Sequence, residues 1–175
     1  MKVTVISYSL TGNNDALAAG IASAFVAEHI KISEQKPRTT WTIMLDVIFN
    51  RTPLVNPPPR VFGNNDLGIF VAPVWMGHIA TPLRAYLDCL KNKSITYAFV
   101  SISGGADGPN DKLASELNKR VGKKPTALYN TYIADLLPPN PKPNRKLTTA
   151  YRLSETEVKS LTSKVVKSLR KTMAI

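Results

Sequence analysis

Residues 2–25 read KVTVISY-SLTGNND-ALAAGIASAF. An apolar run passes at once into short hydroxyl and amide side chains, and these pass at once into an Ala-rich stretch. Residues 2–8 predict a strand apolar on both faces, hence covered on both sides. Residues 14–29 predict a helix, with Leu17, Ile21, Ala24 and Phe25 on one face. Between them lies a tight corner in which Gly12 lets the chain turn and the helix points the positive end of its dipole back at the loop. Such a corner is either a plain N-cap cluster or a cradle that holds a phosphate on backbone N–H groups, without Lys or Arg. The Gly-Lys-Ser/Thr of a nucleoside triphosphate loop does not occur, and the G-x-G-x-x-G of a dinucleotide site is missing after the first strand. A terminal phosphate suits this loop better than a triphosphate or a pyrophosphate.

The same alternation continues along the chain. Residues 29–35 predict a second strand. Residues 40–50 are apolar on too many sides for a clean period, and their length predicts a helix. Residues 52–60 are a proline-rich loop. Residues 67–75, LGIFVAPVW, predict a third buried strand. Thr81-Pro82 opens a helix with Leu83, Tyr86, Leu87 and Leu90 as its buried stripe. Residues 95–103 predict a fourth strand, running into GGADG. Pro109 opens the next helix, with Leu113, Leu117 and Val121 facing inward and Gly122 as its stop. Residues 125–134 predict a fifth strand, and 136–153 a proline-rich excursion. The last helix starts at Ser154, with Glu157 completing a capping box and Val158, Leu161, Val165 and Leu169 at helical spacing.

Strands apolar on both faces, separated by helices, predict an α/β three-layer sandwich with a five-stranded parallel sheet, formed by residues 1–175 as one domain. Ligands in such sheets lie at the carboxyl ends of the strands. Three loops there are distinctive: SYSLTGNN after strand one, APVWMGH after strand three and SISGGADG after strand four.

The composition, 43% hydrophobic and 20% charged over 175 residues, is that of a globular chain. No apolar run is long enough to span a bilayer, and the N-terminal run reads as a strand rather than a signal peptide. The expected location is therefore cytoplasmic. The single cysteine, Cys89, excludes an internal disulfide and a cysteine zinc cage, and reads as a small core residue on a helix. Of the net charge of +11, residues 142–175 carry +7 and the rest +4. The basic C-terminal helix is expected to meet an acidic partner or an anionic surface, or to be a solvated face. No aromatics interleave its basic residues, so nucleic acid is not expected.

At these loops the chain resembles the flavodoxin family. Ser9-Leu10-Thr11-Gly12-Asn13-Asn14 resembles its phosphate loop, with Asn14 where the family usually has Thr. Residues 66–75 resemble its third strand and the flavin-flanking loop. Pro82-Leu83-Arg84 and the Gly-rich loop from Ser101 to Gly105 also fit the pattern. The resemblance spans residues 2–134 and, by position, the last helix.

It implies a bound FMN, with Ser9, Thr11, Gly12, Asn13 and Asn14 on the phosphate through backbone N–H groups and side chains. Pro73, Val74 and Trp75 would flank the isoalloxazine, and Ser103, Gly104 and Gly105 would bring backbone to the ring edge. Residues 103–109 lack the aromatic that many flavodoxins place over the second ring face. The implied function is electron transfer with a redox protein as partner. The alternatives are an NAD(P)H-dependent reductase acting on a small quinone or flavin, and a fold relative that no longer binds flavin.

Other chemistry fits the residues less well. A low-molecular-weight phosphatase needs a cysteine in the first loop, and a response-regulator receiver needs an acid pair after strand one, where this chain has Ile6 and Ser7. His78 reads as an exposed loop histidine. Asp107 and Asp111 read as a turn acid and a first-turn helix acid, and no metal site is expected.

Overall fold

The structure, a computed structural model, describes residues 1–173 except Pro37, Asn64, Asn92, Asp107 and Pro109. The expectations for Asp107 and Pro109 fall outside the described residues. Five parallel strands form the main sheet: β1 (Val3–Ser7), β2 (Glu28–Lys31), β3 (Leu67–Val71), β6 (Thr96–Ser103) and β7 (Ala127–Tyr132). Two short strands, β4 (Val74–Trp75) and β5 (His78–Ile79), make a separate antiparallel hairpin. The helices are α1 (Asn13–Phe25), α2 (Thr40–Ile48), α3 (Arg84–Asp88), α4 (Leu113–Val121), α5 (Arg145–Ala150) and α6 (Glu155–Met173). The sheet order is β2-β1-β3-β6-β7. The order reverses at β1 and β3, so the loops leaving these two strands part and open a crevice between them.

Side-chain alternation divides the core in two. Ile6, Phe70, Tyr97 and Phe99 face α3 and α4, meeting Leu83, Tyr86, Leu87, Leu113 and Leu117. Val5, Ile69, Val71, Ala98 and Val100 face α1 and α6, meeting Leu17, Ile21, Leu161, Val165 and Leu169. A strand supplying both cores must be apolar at every position, which is why β1, β3 and β6 read as unbroken apolar runs.

Several boundaries differ from the sequence reading. The first helix stops at Phe25, not near residue 29, because Val26 turns into the left-handed region (φ 49°) and the chain enters β2 at Glu28. β2 ends at Lys31, short of the predicted 35. Residues 67–75 are not one strand. β3 ends at Val71, and Pro73, which has no N–H for a ladder, diverts the chain into the hairpin. The excursion at 136–153 contains α5. Cys89 is half-buried just past the end of α3.

Candidate functional site

The first loop is built around Gly12, the N-cap of α1, with φ 90°. A Cβ placed there would meet nothing within 4 Å, so the backbone conformation and not crowding requires glycine. The Ser9 hydroxyl oxygen accepts from the Gly12 N–H (2.9 Å) and the Asn14 N–H (3.2 Å). Asn13 and Asn14 are buried, 3% and 2% exposed. The Asn13 amide spans to the chain before α6, donating to the Tyr151 carbonyl and accepting from the Leu153 N–H, both at 3.0 Å. The Asn14 amide donates to the Ile102 carbonyl (2.8 Å) and accepts from the Ile102 N–H (3.0 Å). These two side chains stitch the loop to the rest of the fold, and Ser9 already holds the Asn14 N–H, so what positions 13 and 14 offer an anion is the backbone N–H of Asn13.

The second loop is the β4–β5 hairpin. Met76 (φ 50°) and Gly77 (φ 82°) form its two-residue turn, both left-handed as such turns demand. Its base is fixed to β6 where the Val74 N–H donates to Ser103 Oγ (2.9 Å). Its far strand is fixed to α4 where the Ile79 N–H donates to Glu116 (2.9 Å), with His78 Nδ1 3.5 Å from the same carboxylate. His78 is half exposed, as expected.

Trp75 stands against a charged cluster. Its ring meets Tyr8 edge to face, centroids 5.7 Å apart at 87°, and the Arg38 guanidinium lies 5.6 Å from its centroid. Arg38 is only 5% exposed and is held by two carboxylates. Its Nε donates to Glu34 (2.7 Å), its Nη2 to the other Glu34 oxygen, and its Nη1 to Asp46 (2.6 Å). Burial alone would disfavour the charge. The bonds to Glu34 and Asp46 outweigh it and hold the Arg38 pKa above the ordinary value. The Tyr8 hydroxyl donates to Glu34 (2.8 Å), and burial followed by that carboxylate drives its pKa well above the usual phenol range.

The third loop closes the crevice. At Gly105 (φ 75°) a Cβ would lie 2.4 Å from Tyr132 Cβ, and at Gly104 it would lie 3.0 Å from Thr148 Oγ1 of α5. Both glycines therefore let neighbouring elements pack onto the loop backbone.

The three loops meet in one cavity of about 310 Å³. Of the residues singled out from sequence, Thr11, Asn14, Pro73, Val74, Trp75, Ser103, Gly104 and Gly105 line it. Ser9, Gly12 and Asn13 sit in the adjoining corner and shape the loop rather than the wall. The sequence reading missed two contributors, α2 through Thr40 and Ile43, and α5 through Arg145, Thr148 and Thr149. The signal for α5 is Asn144, whose side chain caps the Leu147 N–H at 3.0 Å.

No protein-family model matches the chain, and no curated protein matches its sequence. Solved structures do match. A putative flavoprotein from Bacteroides eggerthii is 15% identical with a TM-score of 0.68, covering 99% of this chain and 98% of that one. A flavoprotein from Lactobacillus acidophilus, solved in complex with FMN, is 22% identical with a TM-score of 0.60, covering 74% of this chain and 92% of that one. The two-electron reduced flavodoxin of Megasphaera elsdenii is 14% identical with a TM-score of 0.50, covering 94% and 98%. The fold is flavodoxin-like.

In this flavodoxin-like frame the donor set can be tested against a flavin mononucleotide. At the N-terminus of the thirteen-residue α1 stand the Ser9 and Thr11 oxygens and a left-handed glycine, a polar end suited to a phosphate. Beyond it the cavity is lined by apolar groups and by an indole already held in place by Arg38 and Tyr8. A polar anion site joined to an aromatic-walled slot fits a phosphorylated aromatic ligand.

Proposed function

We propose that this protein binds FMN non-covalently and transfers electrons through it. The observation that carries the reading is the convergence of the phosphate-type loop, the Trp75 hairpin and the Gly104-Gly105 loop on one cavity. The FMN complex of the Lactobacillus acidophilus flavoprotein supports the choice of ligand. When bound, the isoalloxazine supplies the redox chemistry, taking up and passing on electrons. The chain's own residues bind and orient it. The Thr11 hydroxyl and the backbone N–H groups of Thr11 and Asn13 hold the phosphate, while Ser9 keeps the Gly12 and Asn14 N–H groups in place. Pro73, Val74 and Trp75 cover one side of the ring, and the Ser103–Gly105 backbone meets its edge. An acidic redox protein is the matching partner, steered by the exposed Lys159, Lys164, Lys167 and Lys171 of α6.

The visible absorption spectrum of the purified protein is the first test, and flavin bands are expected. Titration of the apoprotein with FMN and with riboflavin is the second. FMN should bind far more tightly, and Thr11→Ala should cost about 1–3 kcal/mol of FMN affinity while leaving riboflavin affinity unchanged. Equal affinity for the two ligands overturns the phosphate-loop assignment.

One observation favours a reductase within the same reading. The third loop contributes Gly104, Gly105 and Ala106 to the cavity and no aromatic side chain, which leaves room for a hydride donor beside the ring. Steady oxidation of NADH or NADPH by the FMN-loaded protein with a small quinone as acceptor distinguishes the reductase from the shuttle.

A further inference from the structure

The helix α2 leaves one apolar edge uncovered: Trp41 and Ile48 are exposed, while Ile43, Met44, Leu45 and Val47 are half-buried. Its inner face is fastened by polar groups: the Asp46 carboxylate bonds Arg38 and Thr81, and the buried Arg84 donates to the carbonyls of Asp46 (3.2 Å) and Arg51 (2.9 Å). None of its nine residues is fully buried. Trp41 and Ile48 fall two turns apart on one face, with Met44 and Leu45 between them. Trp41 is 67% exposed, Ile48 61%, and the following Phe49 62%. The only acids of residues 34–54, Glu34 and Asp46, are both turned onto Arg38, while Lys36 and Arg51 are exposed. Exposed aromatic and aliphatic residues grouped on one helix mark a surface that something covers.

A second observation adjoins the first. Asn50, directly after Phe49, borders a cleft of about 550 Å³ beside α3 and α4. Lys91, Lys112 and Lys119 line it and are exposed, and none of the three is in an ion pair among the described residues. The acids of the cleft are already engaged: Asp88 lies 3.5 Å from Arg120, and Glu116 lies 3.5 Å from His78. Arg120 also donates to Asn50 (3.0 Å), which ties the cleft to the end of α2.

We propose that this face docks on an anionic lipid surface, with Trp41, Ile48 and Phe49 entering the interface and the Lys91–Lys112–Lys119 cleft receiving phosphate headgroups. An amphipathic helix with aromatic residues on one side and cations beside it is suited to lie in a bilayer interface. No helix among the described residues is long and apolar enough to cross a membrane, so the contact is peripheral. Charge selects lipid over a second copy of this chain. A two-fold copy would set the cationic clefts of two +11 chains near one another, whereas an anionic surface complements both the cleft and the net charge. Thr40 of α2, Leu10 and Met76 line the mouth of the loop cavity, so a docked molecule holds that mouth beside the lipid. The docking is independent of the flavin reading, since it is measured equally on protein with and without cofactor.

The test is co-sedimentation of the full chain with phosphatidylcholine vesicles and with phosphatidylcholine–phosphatidylglycerol vesicles across a salt series. Binding to the anionic vesicles is expected, weakening as salt rises. The Trp41→Ser/Ile48→Ser pair and the Lys91→Glu/Lys112→Glu/Lys119→Glu set should each reduce it by about tenfold or more. Reversal of Lys164, Lys167 and Lys171 on α6, which packs on the other core layer, lowers the net charge by the same amount as the cleft set and should weaken binding clearly less than the cleft set does. Circular dichroism confirms that each variant is folded. Absence of binding to anionic vesicles overturns the proposal, and so does binding lost only on reversal of the α6 lysines. A concentration-dependent dimer abolished by the Trp41/Ile48 pair, with no lipid binding, assigns the face to a second copy instead.

Discussion

Helices α2 and α6 lie on opposite sides of one sheet and are fastened in opposite ways. In α6 the buried residues Leu161, Val165, Val166 and Leu169 face the sheet and α1, and its lysines face water. In α2 no residue is fully buried; Ile43, Met44, Leu45 and Val47 are half-buried, a carboxylate, a guanidinium and backbone carbonyls add directed bonds at its inner side, and Trp41 and Ile48 face out. Apolar burial is non-directional and tolerates small shifts. A buried charge pair keeps its value only while its geometry is intact. α6 is therefore held chiefly by buried area, and α2 by half-buried apolar groups together with a few directed bonds, which leaves its Trp41–Ile48 edge free for an external surface.

That contrast can be broken by single substitutions. Asp46→Ala leaves Arg38 buried with one carboxylate in place of two, and should cost about 3–5 kcal/mol in denaturant unfolding. A cost below about 1 kcal/mol would mean that α2 is not held by its charges. On the other side, Leu169→Ala removes a fully buried side chain and should cost about 2–4 kcal/mol. Trp41→Ser, a larger deletion on α2, should stay within about 0.5 kcal/mol because two-thirds of the residue is already exposed.

The smallest effect is a drift with pH. Tyr8, Tyr86 and Tyr97 all belong to the core on the side of α3 and α4. Burial pushes Tyr86 up to about 12 and the other two higher. Below about pH 10 these phenols are neutral in both folded and unfolded chains, and the stability they supply is fully present. As pH rises from there towards the folded values, only the unfolded chain ionises, so stability is progressively lost. Hydrogen exchange at pH 9 and pH 11 (about one unit either side of the phenol value) should show protection falling first in the layer of α3 and α4. Equal loss in the layer of α1 and α6 would remove the distinction.

Period and punctuation made much of this fold legible. The α6 capping box stands as expected, with the Ser154 N–H donating to Glu157 at 2.7 Å, and Gly122 closes α4 in the left-handed conformation. The three loops that line the cavity are legible because strand ends and short polar residues coincide there. The overrun at residues 67–75 has a plain cause. Val74 and Trp75 are as apolar as the strand before them, and only the missing N–H of Pro73 marks the break. The helix α5 was hidden because RKLTTA is short, polar and preceded by prolines. Arg38 was hidden for a deeper reason. Nothing in a sequence distinguishes a charge that will be buried between Glu34 and Asp46 from one that will face water, since the partners are assembled only by the tertiary fold.

The Asn14 amide does more than anchor a loop. The N–H and C=O of Ile102 point from β6 toward the line of β3, as those of Val100 do where the Ala72 N–H bonds its carbonyl at 3.1 Å. Pro73 has already taken the chain out of the sheet at that level, so the rung has no strand opposite it. The carboxamide of Asn14 presents one donor and one acceptor, as a peptide unit does, and completes the rung as a strand one residue long. A sheet that splits to make a crevice normally leaves a raw edge, a template onto which a foreign strand can pair. Here the edge is sealed by a side chain, and the opening remains available to a ligand while being closed to intermolecular β-pairing.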